Sequence, residues 1–240
     1  MSNLDKKQQL KEIFKNPSYS YIIHYACTNL DSPQKRIISI SIRCLSENSQ
    51  TISFPNQNFI PKSYDEDFER EILLNFFNYV KNKKYTKFIH WNGRNDDFGI
   101  QAIENRFKEL LPDVEIPFIK HENMYDLAEM LKNIYGQDYV VGHPRMKIIM
   151  EKNGLGMYNY LEGEQELEAF EKKQFKKIYD SVKCKVENIA CIARLAYDGK
   201  LRTDCKQGRG VIGWIKRCFK KTRLIFFIYE YIQEKWLKNK

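Results

Sequence analysis

Apolar and polar positions follow a two-residue period in three stretches near the start of the chain. Residues 19–25 are rich in β-branched and aromatic side chains, 35–45 alternate around Ile38, Ile40 and Ile42, and 51–54 form a shorter run. This patterning predicts three strands, the first two joined through a turn at Asp31-Ser32-Pro33. Together they make an antiparallel meander. Ahead of them, residues 4–16 carry Leu10, Ile13 and Phe14 on one side, with Pro17 as a stop. That spacing predicts a short leading helix.

The period then becomes helical over 64–81, where Asp65, Glu66 and Asp67 sit favourably at the amino end. Short apolar runs at 87–91 and 115–119 predict two more strands. Helices are predicted at 99–111, stopped by Pro112, and at 124–135, stopped by Gly136. A short helix around 146–153 and one long charged helix from 164 to about 197 complete the pattern. The order β-β-β-α-β-α-β-α, with right-handed crossovers for the parallel strands, gives an α/β protein. Its sheet is mixed and five-stranded: a three-stranded antiparallel meander plus two parallel strands, flanked by helices. The organisation expected is an N-terminal helix (1–18), one main domain (19–205) and a tail (206–240).

Composition narrows the class. At 240 residues, 42% hydrophobic and 14% aromatic, the chain can bury a substantial core and is not a disordered polymer. No apolar run reaches the roughly 18–20 residues of a membrane span. The charged stretch 1–15 has no secretion-signal character, so a cytoplasmic location is expected. Six cysteines occur without a Cys-x-x-Cys pair, and reduced thiols are expected rather than a zinc site. The Lys/Asn/Ile-rich composition is compatible with an AT-rich bacterial genome.

Charge is concentrated at one end. The formal net charge is +9, and 206–240 holds ten basic residues against Glu230 and Glu234, a net +8. Lys216, Arg217, Lys220, Lys221 and Arg223 are interleaved with aromatics, as in an arm that contacts phosphates and stacks bases. A helical tail docked on the core or on a protein partner fits the same pattern, as does one lying on an anionic membrane surface.

One segment carries candidate chemistry. After Phe88-Ile89-His90-Trp91 comes Asn92-Gly93-Arg94-Asn95-Asp96-Asp97-Phe98. The element order resembles the RNase H-like fold, and this segment resembles the second motif, Asn-Gly-x-x-Phe-Asp, of the DEDD-type 3′–5′ exonucleases of that superfamily, which include polymerase proofreading domains. Asn92, Gly93 and Asp97 match, and Asp96 stands where an aromatic is usual. The resemblance implies that Asp97 holds a metal ion and that Asn92, Gly93 and Arg94 border a nucleic-acid strand. As an ordinary feature, the segment is a glycine turn with Asp97 as a helix N-cap.

The resemblance also implies four carboxylates around two magnesium or manganese ions. The family's first pair, Asp-x-Glu-Thr at the end of strand one, corresponds to Ala26-Cys27-Thr28-Asn29, where both acids are missing. His24 and Asp31 are near but fall outside those positions. For the last motif, a Tyr or His followed by Asp on a late helix, the best match puts Glu187 at the Asp and Lys183 at the Tyr/His. Tyr179 lies one turn back on the same face. Asp97 and Glu187 are thus the metal candidates, and Asp97, Glu187, Lys183 and Tyr179 the catalytic ones. Glu187 also reads as a plain exposed helix charge. Asp126 resembles a framing and helix-capping residue of the superfamily.

Two candidate ligands replace four, and Lys183 adds a positive charge where divalent cations should sit. The expectation is a nucleic-acid-engaging protein of exonuclease ancestry with a degenerate metal site. A divergent Mg- or Mn-dependent 3′–5′ exonuclease is one alternative. A pseudo-enzyme scaffold, docking to a protein partner or membrane surface through its tail, is the other. Gly142-His143-Pro144-Arg145 adds two possible phosphate contacts, His143 and Arg145.

Overall fold

The computed structural model describes residues 3–28, 35–56, 58–59, 61, 63–81, 83, 86–92, 99–115, 119 and 121–205. Strands β1 (Ser20–Cys27), β2 (Ile37–Cys44), β3 (Thr51–Phe54), β4 (Lys87–His90) and β5 (Met124–Asp126) form one sheet in the order β3-β2-β1-β4-β5. The pairs β1–β2 and β2–β3 are antiparallel, while β1–β4 and β4–β5 are parallel. This is a mixed five-stranded α/β sheet with β1 at its centre. Ile37 to Ile42 are all buried, so β2 is covered on both faces rather than one.

Alternation along the strands divides the core in two. On one face, Ile22 and Ile89 pack with Leu10 and Ile13 of α1 (Asn3–Lys15), Leu131 of α4 (Leu127–Tyr135), and Ile189 and Ile192 of α7 (Phe175–Tyr197). On the other, Ile23 and Phe88 meet Ile72 and Phe76 of α2 (Glu66–Lys81), with Ile103 and Phe107 of α3 (Ile100–Leu110). The leading helix therefore shares the main core instead of standing apart from it.

A buried ion pair ties the second face together. Glu69 and Arg106 are joined by two charge-assisted bonds of 3.0 and 2.8 Å, and Glu69 Oε1 also accepts the Ile37 N–H at 2.7 Å. Side-chain exposure is 0% for Glu69 and 7% for Arg106, and the paired carboxylates of Glu69 and Glu109 push the guanidinium's pKa up. One contact set thus links α2, α3 and β2.

Three expectations from the pattern change. The strand beside β4 is Met124–Asp126, not 115–119, of which 116–118 lie outside the described residues. The helix expected from 124 begins only at Leu127, because Asp126 takes the N-cap position and accepts the Glu129 N–H. The long helix from 164 is two helices, α6 (Gly163–Glu171) and α7, with Lys173 at φ +55° between them. The break folds Phe170 against Phe175, ring centroids 5.7 Å apart, around Tyr64. Burying those rings outweighs continuing a polar helix. A further helix, α5 (Arg145–Lys152), precedes them. The Asp31 turn and the tail 206–240 lie outside the described residues.

Candidate functional site

A cavity of about 680 Å³ opens at the carboxyl ends of β1 and β4. In α/β sheets the strand ends leave such a crevice because helices cover the faces but not the ends. Its wall from β1 runs from Ile23 to Thr28, interrupted by a register shift between Ala26 and Cys27. Such a bulge bends the strand end and re-aims its side chains. From β4 come His90, Trp91 and Asn92, from α3 Gly99 and Ile100, and from α6 and its approach Glu162, Gly163, Glu164, Glu166 and Leu167.

Asn92 adopts φ +55°, the left-handed region that asparagine tolerates better than most residues. Its N–H donates to Asp126 Oδ1 at 3.2 Å, and the same oxygen accepts the Glu129 N–H at 3.3 Å. Asp126 therefore fixes the exit from β4 to the start of α4. The framing role expected of it matches this geometry.

The charged groups behind the cavity were not anticipated. Lys185, on α7, pairs with Glu166 of α6 at 2.8 Å, with side-chain exposures of 7% and 9%. Ser181, one turn earlier on α7, donates to the same Glu166 oxygen at 2.7 Å. The Lys185 ammonium also sits 5.4 Å from the Tyr160 ring centroid. Its charge reaches His24: burial first, then Lys185 and His90, hold the imidazole down to about 3. His24 is thus neutral at ordinary pH and lines the cavity without a charge. Burial likewise pushes the Cys27 thiol up to about 11, so it is no thiolate nucleophile.

Three carboxylates line the cavity, Glu162, Glu164 and Glu166, and two of them are engaged. Glu162 pairs with Lys147 at 2.8 Å, and Glu166 with Lys185. Ala26 and Thr28 contribute none, and Thr28 Oγ1 instead accepts the Arg36 N–H at 3.0 Å. Among the described residues, no group of three His, Cys, Asp or Glu side chains is placed to hold a metal ion.

The predicted site residues divide accordingly. Asn92 reaches the cavity. Gly93, Arg94 and Asp97 lie outside the described residues, as do Lys216, Arg217, Lys220, Lys221 and Arg223. Glu187 is not brought there: its carboxylate accepts Thr51 Oγ1 at 3.2 Å, on the β3 side of α7. It lies two positions beyond Lys185, about 200° around a helix, so the two side chains point to opposite flanks. Tyr179 is fully buried among Ala26, Ile178 and Val182, and its hydroxyl has no partner among the described residues. Lys183 is half-buried and does not line the cavity. His143 is exposed and Arg145 packs over the Tyr139 ring at 5.8 Å; only Pro144 between them touches the cavity.

No protein-family model and no curated protein matches the chain. No helix among the described residues is long and apolar enough to cross a membrane.

Proposed function

We propose that this chain is an RNase H-like protein of 3′–5′ exonuclease ancestry that engages nucleic acid at a degenerate, metal-poor site. The observation that carries the reading is the cavity where β1 and β4 end side by side. The expected first acid pair is replaced there by Ala26 and Thr28, and the Asn92 turn closes the opposite wall. The sheet order β3-β2-β1-β4-β5 supports the same ancestry. On α7, the residue whose charge reaches this site is Lys185, an ammonium instead of the carboxylate a late-helix motif supplies.

The donor set does not suit the two divalent ions of that family. Magnesium needs an octahedral oxygen shell built on carboxylates; Glu162 and Glu166 are each neutralised by a lysine, which leaves Glu164 as the single remaining carboxylate among the described lining residues. Binding to a strand then rests on the aromatic side chains Tyr25 and Trp91 of the lining and on the basic residues of 206–240 rather than on bridging metals. The test is fluorescence anisotropy of labelled single-stranded DNA and RNA in EDTA across a salt series. Binding that weakens steeply with salt and is unaffected by EDTA is expected. Absent or salt-independent binding overturns the proposal.

A further inference from the structure

We infer that a groove along α1, remote in sequence from the cavity, is a second contact site for single-stranded nucleic acid. The inference rests on the nucleic-acid reading above but uses other residues. The groove, about 410 Å³, is lined by Lys7, Leu10, Lys11, Glu12, Lys15 and Tyr197. Its three lysines recur every fourth residue, so they form a ladder on one helix face with a spacing of about 6 Å. Lys11 and Lys15 are exposed and Lys7 half-buried. Glu12 is the single acid among the lining residues, and its carboxylate accepts Gln8 Nε2 at 3.0 Å.

The aromatic wall decides the ligand class. Tyr197, at the end of α7, keeps 40% of its surface exposed. Its inner face stacks on Phe14, with centroids 4.5 Å apart and planes at 23°, and Arg194 covers Phe14 at 4.6 Å. The ring is therefore held rigid with one side presented outward. A fixed aromatic platform beside a row of cations is the combination that holds single strands, phosphates on the lysines and a base on the ring. A lipid surface fits less well. Among the described side chains of α1, the apolar ones, Leu10, Ile13 and Phe14, are 2%, 1% and 7% exposed and committed to the core.

The full-length chain is tested by anisotropy with oligo-dT and oligo-U, wild type beside the triple variant Lys7→Gln/Lys11→Gln/Lys15→Gln. Losing three phosphate contacts makes the salt dependence shallower by about 2 in the log–log slope. Tyr197→Leu weakens binding roughly tenfold, within the usual worth of one stacked base, whereas Tyr197→Phe keeps it. Circular dichroism melting checks that each variant is folded, and photocrosslinking of a 4-thiouridine oligonucleotide marks Tyr197 independently. Unchanged affinity and slope in the triple variant, with crosslinks only elsewhere, overturns the groove while leaving the cavity reading intact. Failure of the wild type to bind any strand sinks both. Equal competition by polyglutamate, or binding to phosphatidylserine vesicles at the expense of oligonucleotide, also overturns the assignment.

Discussion

Lys185→Met is the perturbation that probes the site's electrostatics most sharply. At 2.8 Å and an effective dielectric constant of about 20, the Lys185–Glu166 attraction is about 6 kcal/mol, most of it offset by desolvating both groups. Removing the ammonium leaves Glu166 with the Ser181 hydroxyl at 2.7 Å as its remaining close partner. A carboxylate stranded at 9% exposure costs about 3–5 kcal/mol. Replacing both groups, Lys185→Met with Glu166→Leu, removes the stranded charge and returns stability to within about 1 kcal/mol of wild type. Urea unfolding at pH 7 of the wild type, both single variants and the double variant gives the full cycle. A loss under about 1 kcal/mol in Lys185→Met, or a double variant as weak as the single, refutes the reasoning.

Two further outcomes follow from buried charge. The folded-state pKa of His24, about 3, lies below its unfolded value, so between pH 7 and 5 the unfolded chain gains a proton that the folded one does not. Stability should fall by about 2 kcal/mol over that window in the wild type and by much less in His24→Gln, read from urea midpoints. The carboxylates held low by lysines, Glu168 and Asp204, act at more acidic pH, and the comparison with His24→Gln isolates the share of this one histidine. Glu69→Gln breaks the pair with Arg106 and should cost about 3 kcal/mol. The double variant Glu69→Met/Arg106→Met should recover most of this but stay about 1 kcal/mol low, because Ile37 N–H loses its acceptor. Equal loss in single and double variants counts against that account.

The parts of the fold legible in the sequence are those with a long, one-period pattern. The alternation around Ile38, Ile40 and Ile42 located β2, and the amphipathic run ending at Lys81 located α2. The short strand β5 was hidden because three residues carry no period; its pairing with Phe88, Ile89 and His90 defines it. The division between α6 and α7 was hidden too, since the break comes from long-range packing of Phe170 and Phe175 on Tyr64. Ala26, Thr28 and Asn92, singled out in the sequence by motif position, line one cavity.

Lys185 was missed in favour of Glu187 because a motif spacing was read without the helix's core stripe. A signal was present. Lys185 lies between Val182 and Ile189 in the apolar series, and Ser181 stands one turn before it. A lysine inside a core stripe has to be paired, and Glu166 is the partner. Glu187 sits off that stripe, where Thr51 meets it.

The central claim is that the metal-ligating half of this site has been lost. Incubating 5′-labelled single-stranded DNA and RNA with magnesium or manganese, wild type beside Asp97→Ala, tests it most directly. The account predicts intact substrate with both proteins. A ladder of shortened products that needs the divalent ion and vanishes in Asp97→Ala contradicts it.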